Sequence, residues 1–361
     1  MRHASVRYLA APMLLLAIGC GDSPQGQSGG FEVHTPEDPA ALGERYFGIN
    51  ISESVEGFDA SFAVAQQAEV GVVEVVLTWE AIETAPGEYQ DPGGLLSAVA
   101  FYGYNDIDVL LTLAVVNTVK RTTPQWLDSL DYDDPELVSA FCDMSDWVLG
   151  QVPANVTLAG ISVGNEIDLV LTGSEWEDYI AFYGQAADHI RQTSPGIVVG
   201  AQCTVMEGVL GDGLEQVGEL NQESDVVMLN YYPQDGAFGV MAPSSVHGHF
   251  DAVTGAFPDR EVWFTELGYQ SGAEHCGSSE EKQAEFYHEM FAAWDDHADA
   301  VGMVLVNWLH DHSPEQIAEW QEYYGSSDPG FVEYLSTLGL RNHDATDKYA
   351  WLQVLAEVEA R

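Results

Sequence analysis

Short apolar runs alternate with longer helical patterns from residue 46 to the end of the chain. The runs are rich in Val, Ile and Leu and nearly continuous, which is typical of parallel strands that are buried on both faces. Between them, stretches such as Trp176–Gln192 and Glu280–Ala298 have amphipathic helical patterns. The pattern predicts eight strands: Tyr46–Ser52, Val72–Thr78, Ile107–Val116, Leu158–Gly164, Ile197–Val205, Asp225–Tyr232, Glu261–Thr265 and Ala300–Trp308.

Eight strand–helix repeats predict an α/β fold, a single (β/α)8 TIM barrel that occupies residues 46–361. A doubly wound sheet is the structural alternative, but no glycine fingerprint for a nucleotide follows the first run. No boundary divides the alternating region, so we expect one folded domain.

The order of large and small residues in the fourth run predicts which side chains enter the barrel. Gly160, Ser162, Gly164 and Glu166 form one alternating set, and the other set is larger and mostly apolar, from Ala159 to Asn165. We expect the small set to fill the interior and the large set to pack under helices. Glu166 then leaves the strand on the interior side, at the C-terminal mouth where such barrels keep their chemistry.

The N-terminal residues have the pattern of an export signal. Two arginines precede the apolar segment Leu9–Ile18, which is too short to span a membrane. The segment ends in Ala17-Ile18-Gly19-Cys20, which resembles a bacterial lipobox. The resemblance implies a lipoprotein signal peptide in residues 1–19, lipidation of Cys20, and a flexible tether that continues to residue 45. An ordinary signal peptide with an incidental cysteine is the alternative.

The charge balance limits the partners. The chain has 58 acidic and 11 basic side chains, a formal net charge of −47, which excludes a nucleic-acid binder that works through phosphate contacts. It also argues against electrostatic binding to anionic lipid, so the N-terminal lipid is the expected membrane contact. From the N-terminal signal we expect export and anchoring to a bacterial membrane, in the periplasm or at the cell surface, and we expect a monomer. The remaining acid excess is typical of a solvated surface.

Three cysteines remain after Cys20, so one internal disulfide is the most that this chain can form. Cys203 and Cys276 are the candidate pair, because both could lie at one end of the fold, and Cys142 is left over. No CxxC motif or His/Cys cluster indicates a zinc site. We expect no cofactor and no catalytic metal.

Two glutamates stand directly at the ends of predicted strands. Glu166 ends the fourth strand in Gly164-Asn165-Glu166, and Glu266 ends the seventh in Trp263-Phe264-Thr265-Glu266. A buried carboxylate is unfavourable unless it is paired, so a loop salt bridge or a helix cap explains most single glutamates of this kind. Two of them, at the fourth and seventh strands of one barrel, are better explained by a shared site.

This arrangement resembles the clan A glycoside hydrolases, which are (β/α)8 retaining glycosidases, over residues 46–361. The resemblance implies that Glu266 is the nucleophile and that Glu166 is the acid/base. In such enzymes the two carboxyl groups lie about 5–5.5 Å apart, and their burial and mutual repulsion separate their pKa values. The resemblance further implies that Asn165 binds the 2-hydroxyl of the sugar.

Other segments resemble the same clan. Leu229-Asn230-Tyr231-Tyr232-Pro233 is similar to the sixth-strand segment of family 1 β-glycosidases and family 53 galactanases. Asn230 and Tyr232 point the same way by parity, and Tyr232 is the candidate to hydrogen-bond the nucleophile. Trp308, at the end of the eighth strand, resembles the platform under the reacting sugar. Two further rim candidates for substrate contact are Asn50 and Trp79.

Two positions depart from the clan pattern. Glu74 stands where many members have an arginine on the second strand, and Val115 stands where many have a histidine on the third, with Asn117 as a polar substitute. These departures leave open a surface carbohydrate-binding lipoprotein that has lost efficient catalysis. The first expectation is an endo-acting β-1,4-glycanase for galactan, mannan, xylan or glucan, and an exo-β-glycosidase is the second. The long eighth loop, His310–Leu335, is expected to wall one side of a cleft.

Overall fold

Eight parallel strands form a closed ring in the computed structural model of the protein, which describes residues 31–361. Each strand pairs with the next along the chain, and the first pairs with the last. The predicted (β/α)8 barrel is therefore confirmed. The strands are β1 Tyr46–Ile49, β2 Val72–Thr78, β3 Asp108–Asn117, β4 Leu158–Asn165, β5 Val199–Gly200 with Gln202–Thr204, β6 Val227–Tyr231, β7 Val262–Leu267 and β8 Val301–Val306.

The ring closes through β5, which is split into two short segments. The first segment pairs with β4 and the second with β6. The predicted strands agree with the observed ones except at their ends: β1 ends at Ile49 instead of Ser52, and β7 continues to Leu267 instead of ending at Thr265. The second of these differences places Glu266 within the last two residues of a strand, held by the sheet.

Helices connect the strands and cover the outside of the ring. The last two before the C-terminal helix, α8 and α9, lie in the long eighth loop. The helices are α1 Phe58–Ala65, α2 Leu95–Tyr104, α3 Pro135–Gln151, α4 Glu175–Thr193, α5 Leu214–Leu220, α6 Ser245–Ala256, α7 Glu280–Asp296, α8 Pro314–Tyr324, α9 Pro329–Thr337 and α10 Tyr349–Glu359. Smaller elements are the helical turns Gln66–Ala68, Trp79–Ile82, Pro92–Gly94 and Ile167–Leu169, the π-helix Val205–Val209, and the short strands Glu83–Ala85, Glu88–Tyr89 and Lys120–Arg121.

Both helices of the eighth loop begin with the same local signal. Ser313 precedes Pro314, and its side chain accepts a hydrogen bond from the backbone N–H of Gln316. Asp328 precedes Pro329 in the same way and accepts from the N–H of Gly330 and Phe331. An N-cap side chain satisfies an otherwise unpaired donor, and proline at the first helical position loses no hydrogen bond. These caps fix where the two helices start, and therefore which side chains they direct at the barrel mouth.

The N-terminal half of the ring is filled with apolar side chains. Trp263 is the largest of them, and an added Cβ on Gly160 would lie 2.8 Å from its Cζ3 atom. The small residue that was expected inside the barrel on β4 therefore makes room for a large one from β7. The rest of this cluster is Val72, Leu110, Ala159, Val226, Met228, Met303 and Leu305.

The alternation predicted for β4 fails at its C-terminal end. Gly164 and Glu166 both have left-handed backbone conformations, with φ of +92° and 50°. The twist at Gly164 turns Asn165, which was expected under the helices, into the barrel mouth beside Glu166. Strict alternation holds only while each residue keeps extended φ and ψ angles.

Replacing Gly164 with alanine should destabilise the protein. An added Cβ would lie 2.5 Å from the Tyr179 hydroxyl, and a residue with a side chain is strained at this φ. We expect a loss of about 1–3 kcal/mol in the free energy of unfolding, measured by urea denaturation. Gly150→Ala is the matched control, because Gly150 lies in α3 with no atom within 4 Å of an added Cβ. It should be neutral or stabilising by up to about 1 kcal/mol; equal losses in both variants would contradict this account of Gly164.

The start of the chain is described only from residue 31, so the proposed signal peptide and Cys20 lie outside the described residues. The described part of the predicted tether has no helix or strand, but it contacts the barrel. The backbone N–H of His34 donates to Oε1 of Gln353 at 2.8 Å, and Nε2 of Gln353 donates to the His34 carbonyl at 3.0 Å. Arg45 pairs with Asp295 at 3.3 Å. Within residues 31–361, no helix has the length and apolar character needed to cross a bilayer.

The expected disulfide does not form. Cys142, Cys203 and Cys276 are all free. Cys203 lies on β5 in the core between the ring and the helices, whereas Cys276 packs with Phe331 and Tyr334 at the mouth. The predicted disulfide is wrong because the two cysteine side chains belong to different apolar clusters, which the sequence alone does not reveal. Within the described part of the chain, no group of three or more His, Cys, Asp or Glu side chains could hold a metal ion.

Candidate active site

A cavity of about 640 Å³ opens at the C-terminal ends of the barrel strands. Seven of the eight substrate or catalytic residues predicted from the sequence line it, and one does not. The seven come from five different parts of the ring, which shows why parallel strand ends can assemble a site from distant sequence positions. They are Asn50, Asn165, Glu166, Asn230, Tyr232, Glu266 and Trp308.

Glu266 is held at the end of β7 by two donors. The Tyr232 hydroxyl donates to its Oε2 atom at 2.7 Å, and Nδ2 of Asn307 donates to the same oxygen at 3.0 Å. Asn307 also donates to the Tyr232 hydroxyl oxygen at 2.9 Å, so the three groups form a closed triangle. Donors aimed at a carboxylate stabilise its charged form.

Glu166 stands at the end of β4 with a weaker set of donors. It is 9% exposed, and Nδ2 of Asn230 donates to its Oε1 atom at 3.3 Å. Its left-handed backbone places it at the start of the helical turn Ile167–Leu169. The carboxyl group is therefore buried, faces the cavity and has less support for a negative charge than Glu266 has.

A chain of side-chain amides connects the third, fourth, sixth and seventh strands beneath the two glutamates. Asn165 donates to Oδ1 of Asn117 at 3.0 Å, and Asn230 donates to Oδ1 of Asn165 at 2.9 Å. The Thr265 hydroxyl in turn donates to Oδ1 of Asn230 at 2.9 Å. Buried amides that are paired in this way have fixed orientations, so Asn165 presents a defined face to a ligand.

Asn50, the residue after β1, supports the Glu266 side of the cavity. Its Nδ2 donates to Oδ1 of Asn307 at 2.6 Å, and its Oδ1 accepts from the backbone N–H of Glu74 at 2.9 Å. Asn50 thereby fixes the amide of Asn307 so that Nδ2 points at Glu266. Asn50 thus lines the cavity and orients Asn307, and its contact with substrate stays a prediction.

Glu74 lies at the base of the cavity, where the clan pattern would have an arginine. Its Oε1 atom accepts from the Thr112 hydroxyl at 2.5 Å and from Nε2 of Gln202 at 2.7 Å. Arg45 stacks over Trp294, and Arg121 stacks over Tyr132. Neither arginine lines the cavity.

The two glutamates differ in what sets their pKa values. Burial raises the pKa of Glu166, and the nearby Glu266 carboxylate raises it further. Burial also raises the pKa of Glu266, followed by Glu74, whereas the hydrogen bond from Tyr232 lowers it. The pair titrates as a unit. Tyr232 and Asn307 donate to Glu266 at 2.7 and 3.0 Å, whereas Asn230 donates to Glu166 at 3.3 Å, so the geometry favours the negative charge on Glu266 and the proton on Glu166.

The cavity is acidic throughout. Its lining includes Glu74, Glu166, Glu207 and Glu266, and among the described lining residues there is no lysine or arginine. His312 is the one histidine of that lining, and burial lowers its pKa to about 4, so it is uncharged at neutral pH. An anionic ligand would find no cation here, so the cavity favours a neutral or cationic one.

Trp79 is the predicted site residue that the structure places elsewhere. Its ring is fully buried between the barrel and α3, 5.4 Å from the ring of Phe141. Nε1 donates to Oε2 of Glu83 at 2.8 Å. The helical turn Trp79–Ile82 directs the ring away from the mouth, and Glu83 satisfies the indole N–H that a rim position would have left to the substrate. The prediction that Trp79 contacts substrate is wrong for this reason.

The sequence reasoning missed the aromatic residues of the eighth loop. Trp320 and Tyr324 of α8 and Tyr334 of α9 all line the cavity. Trp320 stacks on Trp308 with ring centroids 4.8 Å apart, so one face of the predicted platform is already covered. The spacing of Trp320 and Tyr324, four residues apart on a helix, places both on one face. This four-residue spacing is the sequence signal that could have indicated an aromatic face on α8.

Fold and site together define a class: a (β/α)8 barrel with two glutamates of unlike surroundings at the ends of β4 and β7. No protein-family model matches the chain, and no curated protein matches it in sequence. Solved structures do match it.

Three of these structures illustrate the likeness. The first is GH5_18 from Streptomyces cattleya in complex with GlcNAc, at 18% identity and a TM-score of 0.67, over 91% of this chain and 81% of that one. The second is the exo-β-1,4-mannosidase Op5Man5 from Opitutaceae bacterium strain TAV5, at 16% identity and a TM-score of 0.67, over 88% of this chain and 59% of that one. The third is the β-glucosidase from Thermotoga maritima in complex with deoxynojirimycin, at 11% identity and a TM-score of 0.61, over 89% of this chain and 99% of that one. At sequence identities of 11% to 18%, the structural similarity shows a shared fold.

Proposed function

We propose that the protein is a glycoside hydrolase that cleaves β-linked glycans with retention of configuration at the anomeric carbon. The observation that carries the proposal is the pair Glu166 and Glu266 in one cavity, with donors concentrated on Glu266. A two-step displacement needs one ionised and one protonated carboxyl group on opposite sides of the scissile bond. The names of the structural neighbours, which include a mannosidase and a glucosidase, add support.

The first step uses both glutamates at once. A carboxylate oxygen of Glu266 forms a bond to the anomeric carbon while the bond from that carbon to the leaving oxygen breaks. The proton of Glu166 passes to the leaving oxygen, so the leaving group departs as an alcohol and Glu166 becomes a carboxylate. The product of this step is a sugar joined to Glu266 by an ester with inverted configuration.

The second step reverses the roles. Glu166, now ionised, takes a proton from a water molecule, whose oxygen bonds to the anomeric carbon as the ester bond to Glu266 breaks. Glu266 recovers its negative charge, Glu166 recovers its proton, and the released sugar has the original β configuration. We assign Asn165 to the 2-hydroxyl, because Asn117 and Asn230 fix its amide beside Glu166.

The pairing of Tyr232 with Glu266 provides a direct check on the assignment of the nucleophile. In Tyr232→Phe the donor at 2.7 Å is lost, and the charge on Glu266 is less stabilised. Because hydrogen bonds to charged groups contribute about 1.5–3 kcal/mol, we expect kcat/KM to fall by about 10- to 100-fold. The measurement is steady-state kinetics on an aryl β-glycoside.

Tyr231→Phe is the matched control for that variant. The neighbouring Tyr231 hydroxyl pairs with Nδ1 of His249 at 2.8 Å, under the helices and away from the cavity. The Tyr231→Phe variant should retain the wild-type kcat/KM within about twofold, while its free energy of unfolding falls by about 1 kcal/mol. Similar kinetic losses in both variants would mean that Tyr232 acts through the fold and not through Glu266.

A barrel that binds glycan without cleaving it is the second candidate. The observation that favours it is Glu74 at the base of the cavity: burial raises its pKa to about 7, and when ionised it raises the pKa of Glu266, which must be charged to act. Hydrolysis separates the two candidates. The purified protein is incubated with aryl β-glycosides and with soluble β-1,4-galactan, mannan, xylan and glucan, and released sugar is measured. Binding to any of these without cleavage of any would support the second candidate and refute the first.

Export and anchoring through Cys20, and the monomeric state, stay predictions from the sequence. Mass spectrometry of the mature N-terminus tests the anchor, because a lipidated Cys20 adds the mass of its acyl groups to the chain that begins at residue 20.

A further inference from the structure

The eighth loop crosses part of the barrel mouth and is fixed on both sides. We call α8, α9 and the link between them the cap. At one side, the Tyr323 hydroxyl of α8 accepts from Nδ2 of Asn117 at 3.0 Å and donates to the Asn117 carbonyl at 3.1 Å. Lys120 lies over the same ring, 5.2 Å from its centroid. Asn117 ends β3, and β1 and β2 separate it from β8. The cap therefore spans the mouth over those two strands.

The other side of the cap is fixed to the loops that follow β6 and β7. Phe238, in the loop after β6, stacks with Tyr334 at 5.7 Å and packs against Phe331 at 5.4 Å. Glu333 accepts hydrogen bonds from the backbone N–H of residues 274, 275 and 276 at 2.9, 2.6 and 2.6 Å. These contacts join the cap to the loops of β6 and β7 on that side of the mouth.

The inner face of the cap forms the aromatic wall beside the two glutamates. Trp320, Tyr324 and Tyr334 line the cavity, and Trp320 covers one face of Trp308. Tyr324 and Tyr334 share this lining with Glu166 and Glu266, and burial raises the pKa of both tyrosines. A sugar seated on Glu266 therefore has the cap directly against it.

The open side of the cavity lies at the ends of β4 and β5. Leu169 is 43% exposed, and the lining there also includes the half-buried Met206 and the exposed Glu207. Leu169 belongs to the turn that begins at Glu166, since its backbone N–H donates to the Glu166 carbonyl at 3.1 Å. The group that protonates the leaving oxygen thus faces the open side, and Glu266 faces the closed one.

We propose that the cap closes the glycone end of the cavity, so that the protein removes single sugars from the non-reducing end of a β-linked chain. The leaving group, which can be a longer chain, extends across Leu169 and Met206. This inference rests on the proposed function and assigns its mode of cleavage. It favours the exo mode over the endo mode that the sequence put first, because endo action needs a cleft that is open at both ends.

The test uses hexasaccharides of β-1,4-linked mannose, glucose, xylose and galactose in two forms. One form has a free non-reducing end, and the other carries a benzyl ether on O4 of the terminal sugar. From the free form we expect monosaccharide and pentasaccharide as the only early products. The benzyl group would collide with the cap, so the blocked form should react at least about 100-fold more slowly. Tetra-, tri- and disaccharides at the earliest times, or equal rates for both forms, would overturn the proposal while leaving the hydrolase intact.

Failure of the proposed function gives a different result. No hexasaccharide and no aryl β-glycoside would then be cleaved in any form, and both inferences would fall together.

A variant tests the cap itself. Tyr323→Phe removes the hydroxyl that joins α8 to Asn117, and we expect KM for the free hexasaccharide to rise about fivefold with kcat changed less than twofold. Tyr104→Phe is the matched control, because Tyr104 is 77% exposed on α2 and its kinetics should not change. An unchanged KM in Tyr323→Phe would show that the cap does not hold the terminal sugar.

Discussion

Glu266→Ala should abolish hydrolysis, with kcat on an aryl β-glycoside reduced by about 10⁴- to 10⁶-fold, the loss typical of removing a nucleophile. The physical reason is that no other group in the cavity is placed to form the covalent intermediate with the same donors. Tyr232 and Asn307 both point at Oε2 of Glu266 and would be left without an acceptor.

Adding azide to the Glu266→Ala variant tests whether Glu266 is the nucleophile. A small anion fits the space of the lost side chain and attacks the anomeric carbon from the side that Glu266 occupied. The product expected from a β-glycoside is therefore the α-glycosyl azide, identified by NMR. Glu44→Ala is the control, since Glu44 is exposed and remote from the cavity, and it should retain full activity without azide. Activity in Glu266→Ala without azide would remove Glu266 from the mechanism.

Glu166→Ala should reveal its role through the leaving group. A 2,4-dinitrophenolate leaves without a proton, so the first step on that substrate should survive. The second step lacks its base, and the covalent intermediate should accumulate, with kcat and KM falling together. On a glycoside with a poor leaving group, where the proton is essential, kcat/KM should fall by about 10²- to 10⁴-fold. Steady-state and burst kinetics on the two substrates measure this difference.

Two further measurements complete the assignment of Glu166. Azide should now attack the glycosyl-enzyme from the opposite side and yield the β-glycosyl azide. The wild type should lose kcat/KM as the pH rises through the pKa of Glu166, which burial and then the charge of Glu266 raise above the ordinary glutamate value. This alkaline limb should be absent from the variant on the dinitrophenyl substrate. Equal losses on good and poor leaving groups, or an unchanged pH profile, would contradict the acid/base role.

The barrel and the two glutamates were predictable because they depend on local patterns. Runs such as Val72–Thr78 can be read as buried parallel strands, and the ends of parallel strands necessarily meet at one side of a ring. Glu166 and Glu266 could therefore be brought together by counting strands. The same reasoning placed Asn230 and Tyr232 on one side of β6, as the structure does.

The features that the sequence did not predict correctly depend on a single backbone angle or on packing between distant parts of the chain. The left-handed φ of Gly164 turned Asn165 into the mouth, and a helical turn directed Trp79 into the core. The cap depends on contacts between α8 and β3 that are 206 positions apart in sequence. Hydrophobic periodicity indicates which face of a helix is buried, but it does not indicate which distant strand that face meets.

The anomeric form of the first product tests the central assignment most directly. An aryl β-glycoside that the wild type cleaves is followed by ¹H NMR during the first minutes, before the released sugar mutarotates. The paired action of Glu266 and Glu166 predicts that the β-anomer is formed first and that the α-anomer rises only later. Initial release of the α-anomer would contradict the account, because it would require a single displacement by water and leave Glu266 without a role as nucleophile.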